Sequence, residues 1–280
     1  MKNRKFYKTI VISDLHLGTN GSKAEELVAF LRKFRCSNLI LNGDIIDGWQ
    51  LKKYGAWKKK HTAFFRQVLK MIEKDNTRVI YLRGNHDDFL DQVIPFQVGN
   101  FSIQREFIYE SCGNKYLVVH GDVFDAVMNN LKWIAKLGDI GYTFLLWLNK
   151  LYNQYRSYRG LPYYSLSQQI KLRVKSAVNF ISDYEKQLAE VAKAQRCNGI
   201  ICGHIHQPAI KQFPGVLYLN SGDWVESLTA LVETEQGKWE ILHYKADEVE
   251  LNEEETELTQ ESAMQGIFWA DALLSKQAVK

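Results

Sequence analysis

Five of the seven histidines in this 280-residue chain lie in short stretches with aspartate, asparagine and glycine. The stretches are Asp14-Leu15-His16, Asn42-Gly43-Asp44, Gly84-Asn85-His86-Asp87, His120-Gly121-Asp122 and Gly203-His204-Ile205-His206. Carboxylate, amide and imidazole groups without a thiolate suit Mn²⁺, Fe²⁺ or Zn²⁺ better than a structural zinc knot. The candidate ligands are Asp14, His16, Asp44, Asn85, His120, His204 and His206, too many for one tetrahedral ion. They suit two ions if one carboxylate bridges, with positions left for water and substrate. In Asp14-x-His16 and His204-x-His206, alternate residues of an extended chain point the same way, so both members of each pair are expected to reach one cluster. Gly43, Gly84, Gly121 and Gly203 flank the ligands, where glycine permits tight turns and close backbone approach. Each motif is weak alone, since a lone Asp-x-His is usually a surface or capping pair. Five in order, each at a strand end, are hard to obtain by chance. His61 and His243 stand outside the motifs and read as structural or exposed.

The positioning elements follow from the hydrophobic pattern. Thr9-Ile10-Val11-Ile12, Leu39-Ile40-Leu41 and Arg78-Val79-Ile80-Tyr81-Leu82 read as buried strands. Between them, about 22–35 and 61–74 carry apolar residues at helical spacing, among them Leu27, Phe30, Leu31, Phe64, Val68 and Ile72. This alternation is that of parallel βαβ units, whose chemistry gathers beyond the carboxyl ends of the strands. The later strands, Tyr116–Val119, Gly199–Cys202 and 216–223, read as more antiparallel. Leu228–Val232 and Trp239–Tyr244, split by Gln236-Gly237, read as a hairpin.

With 46% hydrophobic and 12% aromatic residues, the chain can bury a sizeable core and does not read as disordered. Its formal charge of +4 neither demands nor excludes an anionic partner. Four scattered cysteines without C-x-x-C pairing read as buried thiols in a reducing, cytoplasmic setting. No secretory signal pattern is seen, and no stretch reaches the ~18–20 apolar residues of a membrane span. No long basic groove signature points to nucleic acid. Three parts are expected: a main domain of 1–124 and 197–246, a helical insertion or cap at 125–196, and an acidic tail at 247–280. The cap is aromatic and basic, with a single acidic residue, Asp139, from 129 to 176.

The motifs D-L-H, G-D-x-x-D (43–47), G-N-H-D, H-G-D and G-H-x-H strongly resemble those of the calcineurin-like metallophosphoesterases, over about residues 9–245. The resemblance implies an α/β fold, a two-sheet β-sandwich flanked by helices. It implies two divalent ions, Mn²⁺ foremost, with Zn²⁺ or Fe²⁺ as alternatives. Asp14, His16, Asp44 and His206 would hold one and Asp44, Asn85, His120 and His204 the other, Asp44 bridging. His86 would face the phosphate as a catalytic residue, with Asp87 holding the geometry of His86 or Asn85; Asp47 would have a similar supporting role.

Together with the cap, the motifs are similar to those of the UDP-2,3-diacylglucosamine pyrophosphatases. That resemblance implies cleavage of a lipid-linked nucleotide to UMP and 2,3-diacylglucosamine 1-phosphate. It also implies peripheral contact with anionic membrane at the inner face of the cell membrane. Aromatics of the cap would line acyl chains, and Arg156, Arg159, Lys171 and Lys175 would meet phosphates. The sequence departs from the best-known members at one position, where they carry arginine after Gly-Asn and this chain has His86. A soluble phosphodiesterase for nucleotides or other small esters is the rival reading. A non-catalytic scaffold should have lost metal ligands, and all seven candidates are present.

Overall fold

In a computed structural model of the chain, the structure describes residues 4–55, 57–122, 158–159 and 181–245. The apolar runs at the start of the chain become strands β1 (Lys5–Ile12), β2 (Phe34–Asn42) and β3 (Arg78–Leu82). Helices α1 (Ala24–Lys33) and α3 (Lys59–Asp75) connect them, and the three strands pair in parallel, as the alternation predicts. Between β2 and α3 lies a short helix, α2 (Gly48–Tyr54). Strands β4 (Phe96–Val98) and β5 (Phe101–Gln104) extend this sheet on one side, and β11 (Thr229–Glu233) and β12 (Trp239–His243) on the other. The order is β12-β11-β1-β2-β3-β5-β4. A second sheet has the order β6-β7-β8-β10-β9, from Glu106–Ser111, Asn114–Val119, Gly199–Cys202, Val216–Asn220 and Ala209–Phe213. Residues 181–194, inside the segment read as the cap, form helix α4.

Alternation along the strands sorts the core into three layers. Ile10, Ile12, Leu39 and Leu41 pack with Leu27 and Leu31 of α1 and Phe64 and Val68 of α3. Their neighbours Val11 and Ile40 face the other way, meeting Val118, Ile201 and Leu219 of the second sheet. The outer face of that sheet, Leu117, Val119 and Ile200, is covered by Tyr184, Leu188 and Ala192 of α4. The result is the expected two-sheet sandwich flanked by helices.

Two sequence expectations need correction. The strands around the later motifs are not chiefly antiparallel: β7 pairs with β8, and β8 with β10, in parallel. The four residues of β8, like the last four of β7, are buried throughout, the two-faced burial typical of parallel strands. The cysteines are not all buried. Cys36, Cys197 and Cys202 are, but Cys112 is exposed because it forms, with Gly113, the two-residue turn of the β6–β7 hairpin. Both turn residues have positive φ, 48° and 77°, matching the turn type that suits tight hairpins. The cap residues Arg156, Lys171 and Lys175 and the acidic tail lie outside the described residues, whereas Arg159 is described and exposed.

His61 is fully buried in the first turn of α3, where its Nδ1 accepts a hydrogen bond from the backbone N–H of Lys58 at 3.2 Å. His243 is exposed. Burial, reinforced by the charges of Lys60 and Lys58, lowers the His61 imidazole from its ordinary 6.5 to about 4. The unfolded chain therefore takes up a proton that the folded chain refuses as pH falls from about 6.5 to about 4, and folding stability drops across that window. Replacing His61 by glutamine should flatten the acid side of the stability profile by roughly 2 kcal/mol between pH 7 and 5, measured by urea unfolding at each pH.

Candidate metal centre

Every predicted ligand lies just past the carboxyl end of a strand. Asp14 and His16 follow β1, Asp44 follows β2, Asn85 follows β3, His120 follows β7, and His204 and His206 follow β8. Backbone hydrogen bonds stitch these loops together. The N–H of Asp14 donates to Gly43 O and that of His16 to Asp44 O; the N–H of Gly203 donates to His120 O. The ligand carboxylates are held in the same way, as Asp44 Oδ1 accepts from the N–H of His86 at 2.8 Å and Asp14 Oδ2 from that of His204 at 3.0 Å.

The local backbone is not the extended chain that the i, i+2 spacing suggests. Asp14, His16, Asp44, His204 and His206 all have φ between 49° and 67°, the left-handed region. Side chains without glycine's freedom adopt it at a cost of about 1 kcal/mol each. Each pair still converges on one place, but through turns beyond the strand. Gly84 shows how closely the loops approach: a Cβ there would collide with the carboxylate and backbone N of Asp44. A Cβ on Gly203 would lie 2.6 Å from Asp14 Oδ2.

These turns gather the ligand atoms into three overlapping groups: Asp14, His16 and His206; His16, Asp44 and His86; and Asp44, His120 and His204. Within each, one ligand atom per residue lies within 4.8 Å of the others. Asp44 Oδ2 is 3.4 Å from His120 Nε2 and 3.9 Å from His16 Nε2, so it stands between the outer groups. Asp14 Oδ1 is 3.2 Å from His206 Nε2.

The donor set fits divalent cations. His120 is fully buried, and its Nδ1 donates to the carbonyl of Asn42 at 2.9 Å. With Nδ1–H engaged there, Nε2 is the atom that can face an ion, the arrangement typical of a metal-ligating histidine. His120 Nε2 and Asn85 Oδ1 are both buried without a hydrogen-bond partner. Burial lowers the His120 pKa, but the charge of Asp44 overrides it and pushes the group up to about 10. Burial raises the Asp14 carboxyl, yet the His206 hydrogen bond and the charges of His120, His206 and His16 hold it well below the usual range. The cavity thus calls for positive charge, and a metal ion can take the place of the proton at these imidazoles.

Two aspartates support the centre, each in its own way. The buried carboxylate of Asp87 accepts from the N–H groups of Ile45, Ile46 and Gly84, at 3.2, 2.8 and 3.4 Å, and from the hydroxyl of Tyr81 at 2.8 Å, so it also touches the loop that carries Asn85 and His86. It therefore anchors the loop that carries Asp44. Burial, then the charge of Asp44, raises it to about 7. Asp47 caps α2 by accepting from the N–H of Gln50, while its Oδ2 lies 3.1 Å from His86 Nδ1 and 3.4 Å from His16 Nδ1. Trp49, which the sequence reading passed over, lays its indole on His86 with ring centroids 4.3 Å apart. An Asp three residues before Gln50 was a readable helix start; nothing in the sequence pointed to Trp49.

Carboxylates and imidazoles converging at the strand ends of an α/β sandwich define a candidate divalent-metal site. Residues 7–208 match the sequence profile of the calcineurin-like phosphoesterases. The chain belongs to that family of hydrolases. It is 24% identical over 251 residues to the UDP-2,3-diacylglucosamine hydrolase of Shewanella halifaxensis (strain HAW-EB4), a match covering 84% of this chain and 97% of that protein. For the enzyme of the same name from Vibrio cholerae serotype O1 (strain ATCC 39315 / El Tor Inaba N16961), identity is 22% over 249 residues, covering 81% and 95%. Among solved structures, a novel archaeal phosphodiesterase is similar over 84% of this chain and 98% of its own, with 13% identity and a TM-score of 0.40. Vacuolar Protein Sorting 29 from Cryptosporidium parvum gives 85%, 97%, 12% and 0.39.

Because Gly84 leaves no room for a methyl group beside Asp44, Gly84→Ala should displace that carboxylate. Calorimetric titration with Mn²⁺ should show affinity lowered at least ~10-fold, and because the methyl group also meets the Asp44 backbone, the melting temperature of the metal-free protein should fall as well.

Proposed function

We propose that this chain is a dinuclear-metal phosphoesterase that hydrolyses the pyrophosphate of a lipid-linked nucleotide of the UDP-2,3-diacylglucosamine type. The observation that carries the dinuclear reading is the position of Asp44 between the Asp14/His16/His206 and His120/His204 groups. Asp14, His16, Asp44 and His206 would hold one ion, and Asp44, Asn85, His120 and His204 the other. Mn²⁺ is the first choice for both. The names of the relatives support the substrate class.

Divalent cations held there would polarise the phosphoryl group and acidify water for in-line attack. The residues of the chain do the rest. Asp47 faces Nδ1 of His86 at 3.1 Å, so Nε2, 4.0 Å from Asp44 Oδ2, lies on the side of the cluster and would turn toward a phosphoryl oxygen or the leaving group. A proton on His86 is favoured despite burial, by the Asp47 hydrogen bond and the charges of Asp44 and Asp47. His86 would then stabilise charge on the phosphoryl oxygens and pass its proton to the departing oxygen as the P–O bond breaks. Asp87 supports the reaction indirectly, through the Asp44 loop.

Membrane contact and binding of a lipid phosphate by Arg156, Arg159, Lys171 and Lys175 belong to the same proposal. His86, in place of arginine, favours a second reading, a phosphodiesterase for small soluble esters.

A Mn²⁺-supplemented substrate panel separates the two. A UDP-linked diacyl sugar should be cleaved to UMP far faster than bis-p-nitrophenyl phosphate or a cyclic nucleotide; equal or reversed rates would favour the soluble-ester reading. Asp44→Ala should lose both bound ions, as metal analysis of the folded variant would show, and retention of two ions would refute bridging. His86→Ala should keep its metals while kcat falls by ~10²–10⁴, with a smaller loss on esters whose leaving group needs no proton.

A further inference from the structure

The elbow joining α2 to α3 is unlike the rest of the described surface. Trp49, Tyr54 and Trp57 are 51%, 64% and 42% exposed within nine residues of one another. Lys52, Lys53, Lys58, Lys59 and Lys60 are interleaved with them, and no acidic residue occurs from Gly48 to Ile72. None of the five lysines is in an ion pair among the described residues. Lys58 and Lys60 reach only neutral oxygens, Asn20 Oδ1 at 2.9 Å and Ser22 O at 2.7 Å. The ammonium of Lys53 sits 5.0 Å from the Tyr54 ring.

The elbow is nevertheless well built. Asp47 caps α2, Gly55 closes it in a left-handed turn, and Trp57 stacks on Phe65 and donates its indole N–H to Thr62 at 2.9 Å. Large aromatics are therefore held outward rather than left loose. An isolated exposed ring needs no explanation, but three rings amid five lysines without an ion pair among the described residues form an amphipathic surface with a definite complement. Indole and phenol rings settle at the boundary between headgroups and acyl chains, and lysines beside them meet anionic headgroups.

We propose that the α2–α3 elbow, through its described residues 49–55 and 57–60, is a docking surface for an anionic lipid bilayer. The surface lies in the described body of the protein, in a part of the chain outside residues 125–196. It begins at the metal centre, since Gly48 N–H donates to His86 O and Trp49 lies on the His86 ring. Docking there would bring the mouth of the site to the bilayer and let a lipid-anchored phosphate enter from the membrane side. It deepens the lipid-substrate reading while being tested by binding alone.

The test is co-sedimentation of the full chain with vesicles of phosphatidylcholine, with and without phosphatidylglycerol, at low and high salt. Binding should require the anionic lipid and weaken with salt. The K52E/K53E/K59E variant, which spares the two lysines bonded to Asn20 and Ser22, should bind about 100-fold more weakly, at about 1 kcal/mol or more per lysine. Tyr54→Ser should bind more weakly while keeping the salt dependence. An unchanged melting temperature and unchanged hydrolysis of a small soluble diester would show that both variants are folded and their site intact. That hydrolysis also reports on the phosphoesterase reading by itself, so either proposal can fail without the other. Wild-type protein that ignores anionic vesicles, or a triple variant that binds as wild type does, would overturn the proposal. So would lysine-dependent self-association, or lysine-dependent binding of a single-stranded oligonucleotide, without vesicle binding.

Discussion

Asp14 and Asp44 are both almost fully buried, and they lie at the ends of the neighbouring parallel strands β1 and β2. Burying one carboxylate is costly, and burying two side by side adds their mutual repulsion. The surrounding structure follows from that constraint. Backbone N–H groups of His86 and His204 point at the two carboxylates, imidazoles from three further loops close around them, and Asp87 holds the Asp44 loop by its backbone. Proteins tolerate such a concentration of buried charge where cations are meant to sit.

The same constraint accounts for the strained turns. Parallel strands deliver their carboxyl ends to one edge, but an extended continuation would carry residues i and i+2 past that edge, roughly 6.6 Å apart along one face. Leaving the strand in a left-handed turn lets both members of Asp14-x-His16 and of His204-x-His206 stay at that edge. Five such residues cost on the order of 5 kcal/mol together, comparable to the net stability of a domain. The three apolar layers on either side of the strands offset it.

Much of this was legible in the sequence because the strongest signals are local. Continuous apolar runs such as Thr9–Ile12 and Val79–Leu82 announce strands buried on both faces, and the glycine-flanked ligands mark their ends. The parallel pairing of β7 with β8 was missed because the residues between them look unlike a short crossover. The small strands β4, β5, β6 and β9 were missed because their sequences lack strong alternation. The roles of Asp47 and Asp87 were only half readable. Both sit in recognisable motifs, but which groups they touch depends on how two loops pack, and no spacing along the chain encodes that. Trp49 is the extreme case, an ordinary residue of a short helix until the fold lays it on His86.

The candidate ligands come from widely separated stretches of the chain, and the order of synthesis gives this a further meaning. Asp14, His16, Asp44 and Asn85 leave the ribosome early and can take their places once β1, β2 and β3 pair. His204 and His206 emerge more than a hundred residues later, and β11 must then insert beside β1 to complete the first sheet. An ion caught by the nascent half would have an incomplete shell and would exchange freely. The finished centre can form only once the segment that carries His204, His206 and β11 has been made. An ion held there would therefore be drawn from whatever the surrounding pool offers a chain already folded through both sheets.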